Sequence, residues 1–149
     1  MNIRRYRNSD WESICNIHDR ARKNELFLAG LEEAFIPLEI AAEREGLFDY
    51  SVIVAENEEK VCGFCAFTDE ELAWLYVDPD KARKGIGTEL VNAALKIEPE
   101  IYYIEVLCGN EPAKCLYEKF GFKVKKTATG KMPGNEKFEV SAYCMEKEK

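Results

Sequence analysis

Asp78-Pro79-Asp80-Lys81-Ala82-Arg83-Lys84-Gly85-Ile86-Gly87-Thr88 decides how this chain is read. It follows the strand-like run Leu75-Tyr76-Val77. It opens a segment, Gly85 to Ile97, in which Ile86, Leu90, Val91, Ala94 and Leu95 recur on one helical face. Glycines let backbone N–H groups approach a ligand with no Cβ in the way, and a helix N-terminus presents the positive end of its dipole. Lys81, Arg83 and Lys84 add positive charge in a chain whose formal net charge is −7. A pyrophosphate is the natural occupant of such a turn.

Two familiar glycine-loop readings fail on spacing. A dinucleotide fingerprint needs a third small residue three positions after Gly87, and Leu90 stands there. A Walker loop ends in Gly-Lys-Ser/Thr, whereas Lys84 precedes the glycines. The plain alternative is a structural loop entering a helix. A second segment weighs against it: Asn110-Glu111-Pro112-Ala113-Lys114-Cys115-Leu116-Tyr117, closed by Phe120-Gly121-Phe122. It sets a tyrosine on a helix one turn past a small residue, facing where the first segment points.

Together the two segments resemble the GCN5-related N-acetyltransferase (GNAT) family, enzymes that move an acetyl group from acetyl-coenzyme A to an amine. The similarity covers residues 50–145 well, and residues 1–49 in helix order only. The family's pyrophosphate motif, Gln/Arg-x-x-Gly-x-Gly/Ala, is matched at Gly85 and Gly87. Ala82 stands where the family carries Gln or Arg, with Arg83 one residue along. The resemblance implies backbone contacts from Leu75 and Val77 to the pantetheine arm. It implies main-chain contacts from Arg83, Lys84, Gly85, Ile86, Gly87 and Thr88 to the diphosphate, with Asn110, Ala113 and Tyr117 completing the cofactor site. Asn110 also reads as a helix N-cap, and the two roles are compatible.

Aminolysis of a thioester needs a base for the ammonium and an acid for the departing thiolate. Tyr117 matches the family's general acid; its plain reading is core packing beside Ala113, Leu116 and Phe120. For the base there are two candidates. Glu105 is the sole charge in Ile101-Tyr102-Tyr103-Ile104-Glu105-Val106-Leu107, a run expected to be a strand covered on both faces, where desolvation raises a carboxyl pKa. Family members that acetylate protein N-termini carry a glutamate at the matching position. Glu71 is the rival, at the position of the glutamate in histone-acetylating members, although Asp69-Glu70-Glu71 also reads as an exposed acidic turn. Of the two, Glu105 is favoured.

Around these motifs, the chain has the size of one domain, residues 1–149, with 46% hydrophobic and 33% charged residues. The acidic balance argues against nucleic acid as partner and suits a cationic one. No apolar run approaches the ~20 residues that span a bilayer, and Met1-Asn2-Ile3-Arg4-Arg5-Tyr6 lacks the apolar region of a signal peptide, so a cytoplasmic protein away from membranes is expected. Cys62-Gly63-Phe64-Cys65 spells C-x-x-C. On a strand, residues three apart face opposite ways, and one histidine with scattered cysteines completes no zinc set, so six free thiols and no metal are expected. The single histidine, His18, lies on the apolar face Trp11, Ile14, Cys15, His18, Ala21 of a first helix and reads as packed. Ser9-Asp10-Trp11-Glu12 has the capping-box pattern at its start.

The order β-α-α-β-β-β-α-β-α-β-β predicts an α+β fold, a mixed and largely antiparallel sheet flanked by helices on both faces. Thr129 to Asn135 is expected as a loop between the last two strands. By the resemblance, Phe27–Phe48 and Thr129–Lys137 shape the acceptor site, with Glu32, Glu33, Glu39 and Glu43 available to attract a cation, and a homodimer is common in the family. The activity expected is transfer from acetyl-CoA to a primary amine by direct attack in a ternary complex. A non-catalytic acyl-CoA-binding sensor is the alternative: it would keep the glycine turn and Asn110 without needing Tyr117.

Overall fold

The computed structural model describes residues 1–148. In chain order the elements are β1 (Asn2–Arg5), α1 (Trp11–Leu28), α2 (Leu38–Arg44), β2 (Ser51–Asn57), β3 (Lys60–Phe67), β4 (Leu72–Val77), α3 (Ile86–Ile97), β5 (Tyr103–Leu107), α4 (Glu111–Lys119), β6 (Phe122–Met132) and β7 (Asn135–Lys147). The order is the expected one. The strands form a four-stranded antiparallel sheet β1-β2-β3-β4 and a three-stranded antiparallel sheet β5-β7-β6.

Side-chain alternation along the strands builds two apolar layers. On one face Val54, Phe64, Ala66 and Trp74 pack under Ile14 and Ile17 of α1 and Leu38 and Ala41 of α2. On the other, Ile53, Cys65, Leu72 and Ile104 pack under Ile86, Leu90, Val91 and Ala94 of α3. This is the α+β arrangement with helices on both faces. Pro37 caps α2, and Asp19 Oδ1 of α1 accepts the Leu38 N–H at 2.9 Å, so the two helices are tied at that point.

The two sheets meet at one place. Glu71 and Tyr103 form a parallel bridge, reinforced by the Tyr102 and Tyr103 N–H groups donating to Glu70 O at 2.9 and 3.2 Å. Beyond it β4 and β5 diverge toward their C-terminal ends, and α3 and α4 both begin at the mouth of the resulting cleft.

Four expectations are corrected. Ser9 does not cap α1: it lies in a 3₁₀ turn, Asn8–Asp10, and it is the Asp10 carboxylate that accepts the Arg7 N–H at 2.8 Å while Arg4 grips both its oxygens at 2.9 Å. The loop expected over Thr129–Asn135 is mostly strand, since β6 and β7 pair to Met132–Asn135 and leave only Pro133-Gly134 as the turn. β5 is covered on one face only: Ile104 and Val106 are buried and Glu105 between them is exposed. Cys62 and Cys65 do not separate to opposite faces, because the bulge at Ala55/Glu56 leaves Cys62 as an extra residue and turns it into the same apolar layer as Cys65. All six cysteines are free thiols.

Candidate active site

Asp78 starts the turn after β4 by accepting the Asp80 N–H at 2.9 Å, and Arg20 of α1 pairs with Asp78 at 3.0 Å and Asp80 at 3.2 Å. The loop is thereby anchored at its base. Arg83 then adopts φ 66° and Gly85 φ 78°, with Lys84 between them on the ordinary side of φ. Such alternation turns successive N–H groups toward one concavity, the geometry of an anion nest. An arginine in the left-handed region costs about 1 kcal/mol against glycine. Among the described residues the N–H groups of Arg83, Lys84, Gly85, Ile86, Gly87 and Thr88 make no backbone hydrogen bond, whereas Glu89, the next residue, donates to Gly85 O at 3.0 Å. The six free amides and the exposed Lys81, Arg83 and Lys84 form a cationic cradle at the start of α3.

Gly87 explains the close packing beneath it. A Cβ there would lie 3.3 Å from Leu116 of α4, 3.8 Å from Val77 and 4.0 Å from Leu75, so the cradle sits directly on the mouth of the cleft. On β4 the Asp78 N–H bonds Cys62 O at 2.8 Å. Backbone groups alternate along an antiparallel strand, so those of Leu75 and Val77 point away from β3, into the cleft. On the β5 side Asn110 caps α4, its Oδ1 accepting the Ala113 N–H at 3.4 Å. Gly87 of the cradle, Leu75 and Val77 of β4 and Leu116 of α4 thus meet at the end of β4.

Tyr117, two turns into α4, is 6% exposed and packs edge-on against Phe122 with ring centroids 6.4 Å apart. Its hydroxyl has no protein partner among the described residues. No fully buried side-chain oxygen is left without one, so the phenol oxygen reaches open space. Burial, with Cys65 and Glu25 nearby, pushes its pKa well above the ordinary phenol value and keeps it protonated at neutral pH.

On the opposite face of the sheets, under α1 and α2, lies a cavity of about 510 Å³. It reaches the Glu71/Tyr103 junction, and five carboxylates line it: Glu25, Glu45, Glu71, Glu105 and Glu136, with Arg22 and Arg44 as the opposing charges. Both base candidates therefore open into one space. Glu105 is not the covered acid expected of it, because its carboxyl is on the exposed side of β5, where Tyr103 donates to it at 3.1 Å. Glu71 is not a fully solvated turn residue either: it is half-buried, accepts the Tyr50 hydroxyl at 3.4 Å, and its pKa is raised by burial and then by the charge of Glu105. Glu32, Glu33, Glu39 and Glu43 are exposed and do not line the cavity. Segment 27–48 contributes Ala34, Ile36, Ala41, Arg44 and Glu45 to the lining, and segment 129–137 contributes Met132, Pro133, Gly134 and Glu136.

Comparison with known proteins identifies the family to which this fold belongs. The acetyltransferase (GNAT) domain family matches residues 48–124. The peptidyl-lysine N-acetyltransferase YjaB of Salmonella typhimurium is 34% identical over 138 residues, covering 83% of this chain and 84% of that protein. The chain belongs to the GNAT family. It is an acetyl-CoA-dependent N-acetyltransferase. The solution structure of apo YjaB from Escherichia coli is similar at 27% identity and TM-score 0.72, covering 97% of this chain and 95% of that one. The PaiA N-acetyltransferase of Thermoplasma acidophilum, solved with coenzyme A, shares the fold at 23% identity and TM-score 0.73, covering 99% and 98%.

In this acetyltransferase the residues missed from sequence belong to the end of α1. Glu25 accepts from Arg22 Nη1 at 2.5 Å, from the Tyr76 hydroxyl at 3.0 Å and from Asn110 Nδ2 at 3.0 Å. The signal was present: His18, Arg22 and Glu25 continue the apolar stripe of α1 at i, i+4 and i+7, and charges on a core-facing stripe require partners. His18 itself is 2% exposed, packs against Tyr76 at 4.9 Å between ring centroids, and sets its Nδ1 2.9 Å from the Asp19 carboxylate. Glu45, at the far end of the cavity, has its pKa pushed up to about 7 by burial, against the opposing pull of Arg22. Among the described residues no His, Cys, Asp and Glu side chains cluster as a metal-binding set.

Proposed function

We propose that this acetyltransferase acts on a lysine-type primary ammonium, with Glu71 as base and Tyr117 as the proton-bearing group at the leaving sulfur. The observation that carries the reading is the placement of Glu71 at the one junction of the two sheets, half-buried and lining the acidic cavity, with the free amides of 83–88 on the other side of the cleft. Acetyl-CoA supplies the activated acetyl group. The amides of Arg83–Thr88, with Arg83 and Lys84, hold its diphosphate, while Leu75 and Val77 offer backbone partners to its amide-bearing arm.

The cavity's carboxylates outnumber its two arginines, and this net negative charge draws the ammonium in. Glu71, its carboxyl raised toward neutrality, takes the ammonium proton so that the free amine attacks, and Glu105 keeps the local potential negative. The Val77 N–H, pointing into the cleft, donates to the carbonyl oxygen as charge grows there. Tyr117 faces the sulfur. Its raised pKa makes full proton transfer to an ordinary thiolate (pKa about 8.5) unfavourable, so the phenol stabilises the departing sulfur as a hydrogen-bond donor, and the second proton, shed by the attacking nitrogen as the tetrahedral adduct collapses, converts the thiolate to the thiol.

A lysine side chain as acceptor is supported by the relative named a peptidyl-lysine N-acetyltransferase and by the acidic lining. Six free thiols support a reducing, cytoplasmic setting. The test is thiol release from acetyl-CoA across a panel of lysine peptides, free amino acids and small amines. Turnover with lysine peptides is expected; coenzyme A binding without turnover on any amine would favour the sensor instead.

A further inference from the structure

β4 and β5 share no pairing beyond Glu71/Tyr103, so something else must hold the cleft at a fixed width where the cofactor enters. One carboxylate spans it. Glu25 on α1 accepts the Tyr76 hydroxyl from β4 on Oε1 at 3.0 Å and the Asn110 amide from the start of α4 on Oε2 at 3.0 Å. Arg22 Nη1 closes on Oε1 at 2.5 Å and neutralises it. Tyr76 lies between Leu75 and Val77, the cofactor-facing residues of one wall. Asn110 starts the helix that carries Tyr117 on the other.

We propose that Glu25 is a positioning residue that fixes the spacing of the two cleft walls and the orientation of the Asn110 side chain. The inference rests on the acetyltransferase reading above and adds to it a residue outside both recognition segments. An ionised carboxylate only accepts hydrogen bonds, so Glu25 forces the Asn110 amide nitrogen to face it. That leaves Asn110 Oδ1 for the Ala113 N–H at 3.4 Å, which sets the first turn of α4. The height of Tyr117, two turns along the same helix, follows.

The chemistry yields a discriminating substitution. Glu25→Gln keeps size and shape but offers one accepting oxygen and one NH₂. Whichever way the new amide sits a pairing is lost: its NH₂ faces either the donor-only Arg22 guanidinium or the Asn110 NH₂, which can turn to accept only by giving up the Ala113 cap. Asn110→Asp alone sets two carboxylates against each other. The double variant, Glu25→Gln with Asn110→Asp, restores the pairing. The amide nitrogen introduced at position 25 donates to the carboxylate introduced at position 110. The amide oxygen at position 25 still accepts from Tyr76 and Arg22, and the second carboxylate oxygen at position 110 still caps α4.

Coenzyme A affinity by calorimetry and kcat/KM for acetyl-CoA are measured on wild type, both single variants and the double variant. Each single variant is expected to lose about tenfold in kcat/KM, and the double variant to regain most of it, since charged hydrogen bonds broken at a buried site are restored together. A simple loss of packing would give additive losses. The proposal is overturned if Glu25→Gln binds and turns over as wild type, or if the double variant loses the product of the two single losses. Should Glu25→Gln fail to fold, Asn110→Asp and the double variant still decide it, because the proposal requires the double to be the better of the two. Wild-type protein that does not bind coenzyme A would remove the functional reading and this inference with it; wild-type binding with an uncoupled pair removes only the inference.

Discussion

Glu71 meets Tyr103 in a parallel bridge, the one β-bridge between the two sheets among the described residues, and its side chain lies beside the charge of Glu105. The sheet junction thus presents a carboxyl to the acidic cavity. Both the burial and the like charge raise its pKa, so it binds its proton more tightly than an ordinary carboxylate.

A base must be deprotonated to work, so the account predicts that activity rises with pH through the elevated Glu71 pKa, above the ordinary glutamate value of about 4.3. Glu71→Gln removes that limb and lowers kcat by about 10²–10⁴-fold. Glu105→Gln removes a like charge and moves the limb to lower pH. Rate profiles on one acceptor, whose own ionisation is the same for all three proteins, check both. A Glu71→Gln enzyme with the wild-type profile would assign the base elsewhere.

At Gly87 the constraint is steric. A methyl group there lies 3.3 Å from Leu116, which ties α3, α4 and β4 together under the cradle. Gly87→Ala is expected to push the Leu116 side chain aside by a few tenths of an ångström and weaken coenzyme A binding by up to about tenfold, equivalent to about 1 kcal/mol. Calorimetric titration measures it, with the melting temperature falling by only a few degrees.

The strand and helix order and the glycine turn into α3 were legible because they are local. Glycines at Gly85 and Gly87, the Asn110 cap and the apolar stripe of α3 each fix backbone geometry within a few residues. What was illegible depends on partners far apart in the chain. Whether Glu105 is covered depends on what packs on β5, and no periodicity within Ile101–Leu107 reports that the layer over one face is missing. The bulge that turns Cys62 inward arises from pairing with β2. The Pro133-Gly134 turn was hidden because the polar residues from Thr129 to Lys131 resemble a loop, while their pairing with β7 extends the hairpin. The role of Glu25 needed three elements brought together.

Acid stability tests a part of the fold remote from the site. Asp10 is 5% exposed, and its pKa is held below the usual carboxylate value first by the Arg4 hydrogen bonds. A depressed folded-state pKa contributes stability above the unfolded value of about 3.9, and that contribution is lost as pH falls through the folded value. Asp10→Asn is therefore expected to cost about 2–3 kcal/mol near neutrality, since it leaves Arg4 with Glu56 alone, and to flatten the loss of stability below pH ~4. Urea unfolding at several pH values measures both effects.

If acetyl-CoA lies in the β4–β5 cleft with its sulfur at the Tyr117 hydroxyl, Tyr117→Phe is the decisive variant. The hydroxyl has no protein partner among the described residues, so its removal leaves packing and melting temperature intact while taking away the donor at the sulfur. Coenzyme A affinity is expected to be unchanged, with amine-dependent thiol release slowed by about 10²-fold or more. Thiol release at the wild-type rate by Tyr117→Phe, with a wild-type lysine-peptide dependence, would contradict it.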